Sequence, residues 1–257
     1  MSDTVASFLD ECADLDVLVA DLDDEAWAQS TPAQGWTIAH QIAHLAWTDE
    51  IAAVATTDPQ AFADEVEIAV QDPVGHVDTR TEQGAVDTPA EILARWRDGR
   101  ETLAQVLRDA PADTKLPWFG PPMSPRSMAT ARLMETWAHG QDVADALGVR
   151  RAPTARLRDI CHLGVRTRDF AYLINDLTPP VQPFRIELTG PDGDLWIWGD
   201  EDGERSADRV TGPAQDFCLV VTQRRDAADT DLHATGEAVE WLSIAQVFAG
   251  APRRARA

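Results

Sequence analysis

Basic residues are scarce in this chain. Lysine and arginine number 22 against 44 aspartates and glutamates, giving a formal net charge of -22 and a pI near 4.4. Such a surface repels phosphate backbones and anionic lipid, so nucleic acid and membrane are excluded as expected partners, and high solubility is expected. Cysteine is scarcer still. Cys12, Cys161 and Cys218 are odd in number, far apart, and in no CxxC spacing. That excludes a disulfide framework and fits reduced thiols in a cytoplasmic protein. Each lies among apolar neighbours, the usual setting of a buried free thiol. No apolar run is long enough to span a bilayer. The acidic stretch Met1 to Glu11 lacks the basic region of a secretory signal, so no signal peptide is expected. Internal repeats and low-complexity tracts are absent as well.

What is present suffices for a core. The 257 residues are 44% apolar, the composition of a globular protein of one large or two smaller domains. Val5, Phe8, Leu9, Cys12, Leu15, Leu18, Val19 and Leu22 recur at helical spacing over residues 4–22. Pro32 and Gly35 then interrupt the chain, and a second helix is predicted over about 37–56 with Thr37 as its cap. A short helix follows around 60–70. The polar stretch Gln71 to Val86, with Pro73 and two glycines, reads as a loop. Thr88-Pro89-Ala90-Glu91 is a capping box that opens a helix to about Arg108. Pro111 to Pro125 is a loop rich in proline and aromatics. Ser124-Pro125 starts a helix ending at Leu147, with Gly148 beyond it, and Pro153-Thr154 starts another to about Leu177.

After Thr178-Pro179-Pro180 the period changes. Phe184 to Leu188 and Leu195 to Trp198 alternate as strands do, with Asp192-Gly193 suited to a hairpin turn. Gly212-Pro213 is read as the start of a helix through Val221. An extended piece near His233, a helix over about 237–248 and a frayed basic tail, Arg253 to Arg256, complete the reading. The predicted class is α+β. A helical domain over 1–180, with four long helices forming a bundle, precedes a small α+β domain over 181–257.

The chemistry concentrates on two helices. Glu135 and His139 are four residues apart, which places a carboxylate and an imidazole side by side on one helical face. That face also carries Met128, Ala131, Met134 and Ala138, so it points inward, where Glu and His need partners. His44, between Ile42, Ala43 and Leu45, offers another imidazole from an apolar surface. Two imidazoles and a carboxylate make a divalent-metal set that leaves coordination positions open. Helical bundles build such sites between facing helices. His40 complicates the choice, because His40 and His44 share a face in a HxxxH spacing. It can be a fourth ligand, a hydrogen-bond donor to one, or an ordinary polar residue, and the ordinary role ranks first. Asp142, one turn past His139, either orients that imidazole or sits on the helix surface. His76 in the predicted loop, His162 and His233 read as structural or exposed.

Gly35-Trp36-Thr37, Ala43-His44-Leu45, Glu135-Thr136-Trp137-Ala138-His139 and Asp142 together resemble the mycothiol-dependent maleylpyruvate isomerase family of the DinB-like metalloproteins. The sequence after Phe184 resembles that family's small, sterol-carrier-like C-terminal domain. The resemblance implies a metal held by His44, Glu135 and His139, an actinobacterial setting, and mycothiol as a possible cosubstrate. His40 lies outside the three-residue pattern.

The expected metal is divalent, zinc in the isolated protein. A bound ion lowers the pKa of a thiol or water, and a thiolate is the nucleophilic form of a thiol. Addition to an activated double bond, rotation and elimination would isomerise a small organic substrate, and attack on another electrophile would make a transferase. Two alternatives stand beside this. One is a metal-dependent hydrolase with Asp142 or His40 as base. The other is a non-enzymatic metal- or apolar-ligand-binding protein, with Trp196 and Trp198 lining a pocket or simply filling a core.

Overall fold

The computed structural model describes residues 3–72, 75–199, 207–248, 250 and 252, so the basic tail and Pro73 lie outside the described residues. Among the described residues, eleven α-helices, one short 3-10 helix and a four-stranded sheet give the α+β class. By packing, the chain divides into two compact units, residues 1–151 and 152–257.

Four long helices build the first unit: α1 (Thr4–Val19), α3 (Ile38–Thr57), α6 (Pro89–Asp109) and α7 (Pro125–Ala146). Between them lie α2 (Asp24–Trp27), α4 (Pro59–Ala69) and α5 (Gly75–Ala85). The ends follow local rules. The Thr88 N–H donates to Glu91 Oε2 at 2.9 Å, closing the expected capping box of α6. Ser124 caps α7 through the Ser127 N–H at 3.1 Å. At the far end of α7, Gly148 takes φ +65°. The Val149 N–H then reaches the Ala144 carbonyl at 2.8 Å, and that of Gly148 reaches Asp145 at 3.2 Å, a paired C-terminal closure that a left-handed residue permits.

The apolar stripes meet inside. Phe8, Cys12 and Leu15 of α1, Ile38, Ile42 and Leu45 of α3, Ile92, Trp96 and Leu103 of α6, and Met128 and Leu133 of α7 are all buried. Helix α3 packs on α5, α6 and α7, while α1 packs on α6 and α7. Among the described residues no helix is long and apolar enough to cross a membrane.

The expected loop over 71–86 is a helix along most of its length, α5. Its polar composition hid it, and its glycine misled. Gly84 is a point of contact, where a Cβ would lie 2.7 Å from Arg95 Nη2 and 3.3 Å from the Ala43 Cβ. A residue without a side chain lets α5 lie close to α3. Thr81 and His76 are its buried contacts.

The second unit holds α8 (Leu157–Arg166), α9 (Arg168–Ile174), β1 (Arg185–Thr189), β2 (Leu195–Trp198), β3 (Arg209–Pro213), α10 (Ala214–Val221), β4 (His233–Thr235) and α11 (Ala238–Ile244). The composition changes near 180, but the packing boundary falls earlier because α8 contacts α10 and β2, and α9 contacts α11. The single helix expected to run to Leu177 is broken at Thr167, which leaves helical geometry with ψ +10°.

Strand order is β2-β1-β3-β4, with β1 antiparallel to β2, parallel to β3, and β3 antiparallel to β4. The hairpin turn places Gly193 at φ +83°. Residues 209–213 form β3, a correction to the helix expected from Gly212. The helix begins only at Ala214, after five residues pair with β1.

A carboxylate joins α1 to α6. Asp16 accepts from Arg97 Nε at 2.8 Å and from Arg100 Nη2 at 2.7 Å. The Arg97 hydrogen bond holds its carboxyl below the ordinary carboxylate value against partial burial, with Arg100 adding to the effect. A depressed pKa gives stability that is present above the unfolded value, about 3.9, and lost as pH falls through the folded one. Asp16→Asn is therefore expected to destabilise the protein at neutral pH. Urea unfolding across a pH series should show the difference from wild type vanish on acidification; a constant difference would reject this assignment.

Candidate metal centre

Three side chains from two helices converge. His44 comes from α3, Glu135 and His139 from α7, and one donor atom of each lies within 4.8 Å of the others. His139 Nε2 is 3.2 Å from Glu135 Oε2, and His44 Nε2 is 4.0 Å from the same oxygen. Donors around a tetrahedral ion with bonds of about 2.1 Å stand roughly 3.4 Å apart. The two measured edges bracket that value, so the donor set suits a divalent ion. Both imidazoles are buried, while Glu135 keeps 23% of its side chain exposed. Among the described residues no other group of three or more His, Cys, Asp or Glu converges in this way.

Each imidazole is engaged on its other nitrogen. His139 Nδ1 is 2.5 Å from Gln41 Oε1, and His44 Nδ1 is 3.4 Å from Thr81 Oγ1. The Nε2 atoms are thus left to face Glu135, as metal-binding imidazoles require. Aromatic rings enclose the pair. Trp36 stacks on His139 with centroids 5.8 Å apart and planes 17° apart, and lies 5.2 Å from His44. Trp47 meets His44 edge-on at 6.1 Å.

The Glu135 carboxyl is held down at about 2. Burial pushes it upward, but the hydrogen bond and charge of His139, then the charges of Arg132 and His44, outweigh that. It is an anion at any physiological pH.

His40 does not join the trio. Its Nδ1 accepts from the Thr37 N–H at 3.3 Å, and its Nε2 lies 3.4 Å from Glu82 Oε2. Asp142 is buried on α7, yet the group on His139 Nδ1 is Gln41. His76, expected in a loop, is buried on α5 beside Glu65 at 3.0 Å. In the second unit, Trp196 is buried and Trp198 donates to His162 Nδ1 at 3.2 Å. Sequence reasoning missed Gln41 and Thr81. Gln41 lies three residues before His44 on the same helical face, a spacing that could have flagged it.

Beneath the trio lies a buried ion pair. Arg132 Nε donates to Asp49 Oδ1 at 2.8 Å and its Nη2 to Thr48 Oγ1 at 2.7 Å. Burial pushes the Asp49 carboxyl upward, opposed by Arg132.

Residues 8–144 match the family described as Mycothiol maleylpyruvate isomerase N-terminal domain, a span that covers α3, α7 and the whole trio. The chain belongs to this family. Residues 180–235 match a second family, described as Wyosine base formation. Uncharacterized proteins from two strains of Mycobacterium tuberculosis are 56% identical over 253 residues, which is 98% of this chain and 97% of theirs. Two crystal structures share the fold. One is the mycothiol-dependent maleylpyruvate isomerase, at TM-score 0.58 and 13% identity over 90% of this chain and 91% of that one. The other is a histidine-to-alanine mutant of such an enzyme, at TM-score 0.60 and 11% identity over 89% and 91%. In this member of the family the trio lies between α3 and α7, the two helices that Arg132 and Asp49 also join.

The clamp can be tested by removing one half or both. Arg132→Met leaves Asp49 buried without its cation and is expected to cost about 3–5 kcal/mol. The double change Arg132→Met with Asp49→Leu should recover most of that, because a fully apolar pair has no charge to desolvate. Urea denaturation of both variants checks it. A single variant as stable as wild type would show that the pair does not hold the helices.

Proposed function

We propose that His44, Glu135 and His139 hold one divalent ion, zinc in the isolated protein. We further propose that the chain is a metal-dependent enzyme of thiol-dependent isomerisation or transfer, with a mycothiol-type cosubstrate and a small organic electrophile. The observation that carries this is the convergence of two Nε2 atoms and an ionised carboxylate from α3 and α7. Membership of a family named for a mycothiol-dependent isomerase supports the thiol. Two or three protein ligands leave room for a cosubstrate, unlike a closed structural site.

The chain's own thiols are poor candidates for the nucleophile. Cys12, Cys161 and Cys218 are all buried, and burial pushes the Cys12 thiol well above its ordinary value. Cys161 and Cys218 face each other between α8 and α10, their sulfurs 3.5 Å apart. A thiol reaction therefore needs a thiol from outside. When bound, a divalent ion stabilises such a thiol as its thiolate. The residues of the chain do the rest. His44 and His139 present their Nε2 atoms, Glu135 supplies the negative charge, and the indoles of Trp36 and Trp47 shelter the imidazoles from bulk water. Residues 181–257 are read as the family's small C-terminal domain, and the setting as the cytoplasm of an actinobacterium.

Elemental analysis of wild type should find one divalent ion per chain. His44→Ala, Glu135→Ala and His139→Ala should each lose most of it, whereas His40→Ala should retain it. Full occupancy in all three variants would sink the ligand assignment. In a cobalt-substituted protein, mycothiol or a close analogue should produce a thiolate charge-transfer band that chelation removes. Absence of that band with every thiol tried, together with metal-dependent ester or amide cleavage, would replace this reading by a hydrolase.

A further inference from the structure

We infer that Gln41, anchored by Thr31, is the positioning residue that fixes the tautomer of His139. The inference rests on the proposed metal site for its effect on affinity, but the proton on Nδ1 can be read without any ion.

A neutral imidazole carries one proton on one of two nitrogens, and only the bare nitrogen can bind a metal. Which one is bare depends on what the other meets. His139 Nδ1 faces the side-chain amide of Gln41 at 2.5 Å. An amide has an accepting end and a donating end of nearly equal shape, so its surroundings must decide which end is which.

The surroundings decide it through a chain of three groups that ends on the backbone. A carbonyl can only accept. The Thr31 hydroxyl lies 2.9 Å from the Trp36 carbonyl oxygen and so gives it its single proton. The same carbonyl takes the Thr31 N–H at 2.9 Å, which closes the turn between them. With its proton committed, the hydroxyl can only accept from Gln41, whose near atom stands 2.9 Å away. That atom is therefore the amide nitrogen. The other end is the oxygen, and it must accept from His139. His139 Nδ1 therefore carries a proton, and Nε2, which faces Glu135, is the nitrogen left to take an ion in place of a proton.

Gln41 is fully buried, so a reversed amide would leave mismatched polar groups away from water. His44 is treated differently. Its Nδ1 meets a threonine hydroxyl at 3.4 Å, which can rotate to donate or accept. One imidazole of the trio is set by a directional relay, and the other meets an adaptable neighbour.

The rival account makes Gln41 a space-filling residue between α3 and α7, and three variants separate the two. Gln41→Leu keeps the bulk but removes the acceptor. Gln41→Glu keeps the acceptor. Thr31→Val removes the anchor from a half-exposed loop position and leaves Gln41 in place. Two readouts apply. In ion-free protein, two-bond 1H–15N NMR should show wild-type His139 protonated on Nδ1. Gln41→Leu and Thr31→Val should lower the fraction protonated on Nδ1. Zinc(II) affinity, from competition with a chromophoric chelator, should fall about 10–100-fold in Gln41→Leu. It should stay near wild type in Gln41→Glu and fall less steeply in Thr31→Val. A wild-type His139 with no proton on Nδ1 would overturn the inference. So would unchanged zinc affinity in Gln41→Leu, or a Gln41→Glu no better than Gln41→Leu. If wild type takes up no zinc, the metal site falls, and the NMR result alone decides the relay.

Discussion

The Arg132–Asp49 ion pair sets the register on which the candidate site depends. Arg132 lies one turn before Glu135 on α7, and Asp49 lies beyond His44 on α3, both fully enclosed. Arg132 also donates to Thr48, and the Thr48 hydroxyl donates to the carbonyl of His44 itself at 2.7 Å. One guanidinium thus touches both helices within a turn or so of their donor groups. Taking two charges out of water is costly, and such a pair adds little net stability over a well-packed apolar one. What it does supply is direction. Apolar stripes tolerate sliding by part of a turn, whereas a pair with fixed N–H vectors does not.

The site above the clamp is built from opposed requirements. Glu135 must stay ionised in a half-buried position, and imidazoles must remain available on one chosen nitrogen. Neighbouring positive charge keeps the carboxylate ionised. Hydrogen bonds on the Nδ1 side serve the imidazoles. Two acids of this unit are paired: buried Asp49 with Arg132, and partly buried Glu65 with Arg80 and His76.

The trio and the bundle were legible because they follow short-range rules. The spacing from Glu135 to His139 lies within one helix, and the caps at Thr88 and Ser124 are local chemistry. The residues that support the trio obey no such rule. Thr81 reaches His44 only because α5 is helical, and its sequence carries no apolar stripe. It exists because Gly84 and Thr81 fit against α3, a tertiary fact that composition does not carry. Strand β3 was misread for a related reason. Its Val210-Thr211-Gly212-Pro213 is a poor strand alone and is ordered by parallel pairing with β1. Gln41 was overlooked because a buried glutamine announces nothing until its partners are known.

The donor groups come from segments that meet only when the bundle closes, His44 early in the chain and Glu135 with His139 much later. Neither helix alone offers the full set, so an ion has little to hold in the unfolded chain. Its consequence is kinetic. Contacts that form after the rate-limiting step of folding leave the folding rate alone and slow unfolding. An ion captured between α3 and α7 would act as a latch on a bundle already assembled, and would lengthen the life of the folded state without hastening its birth.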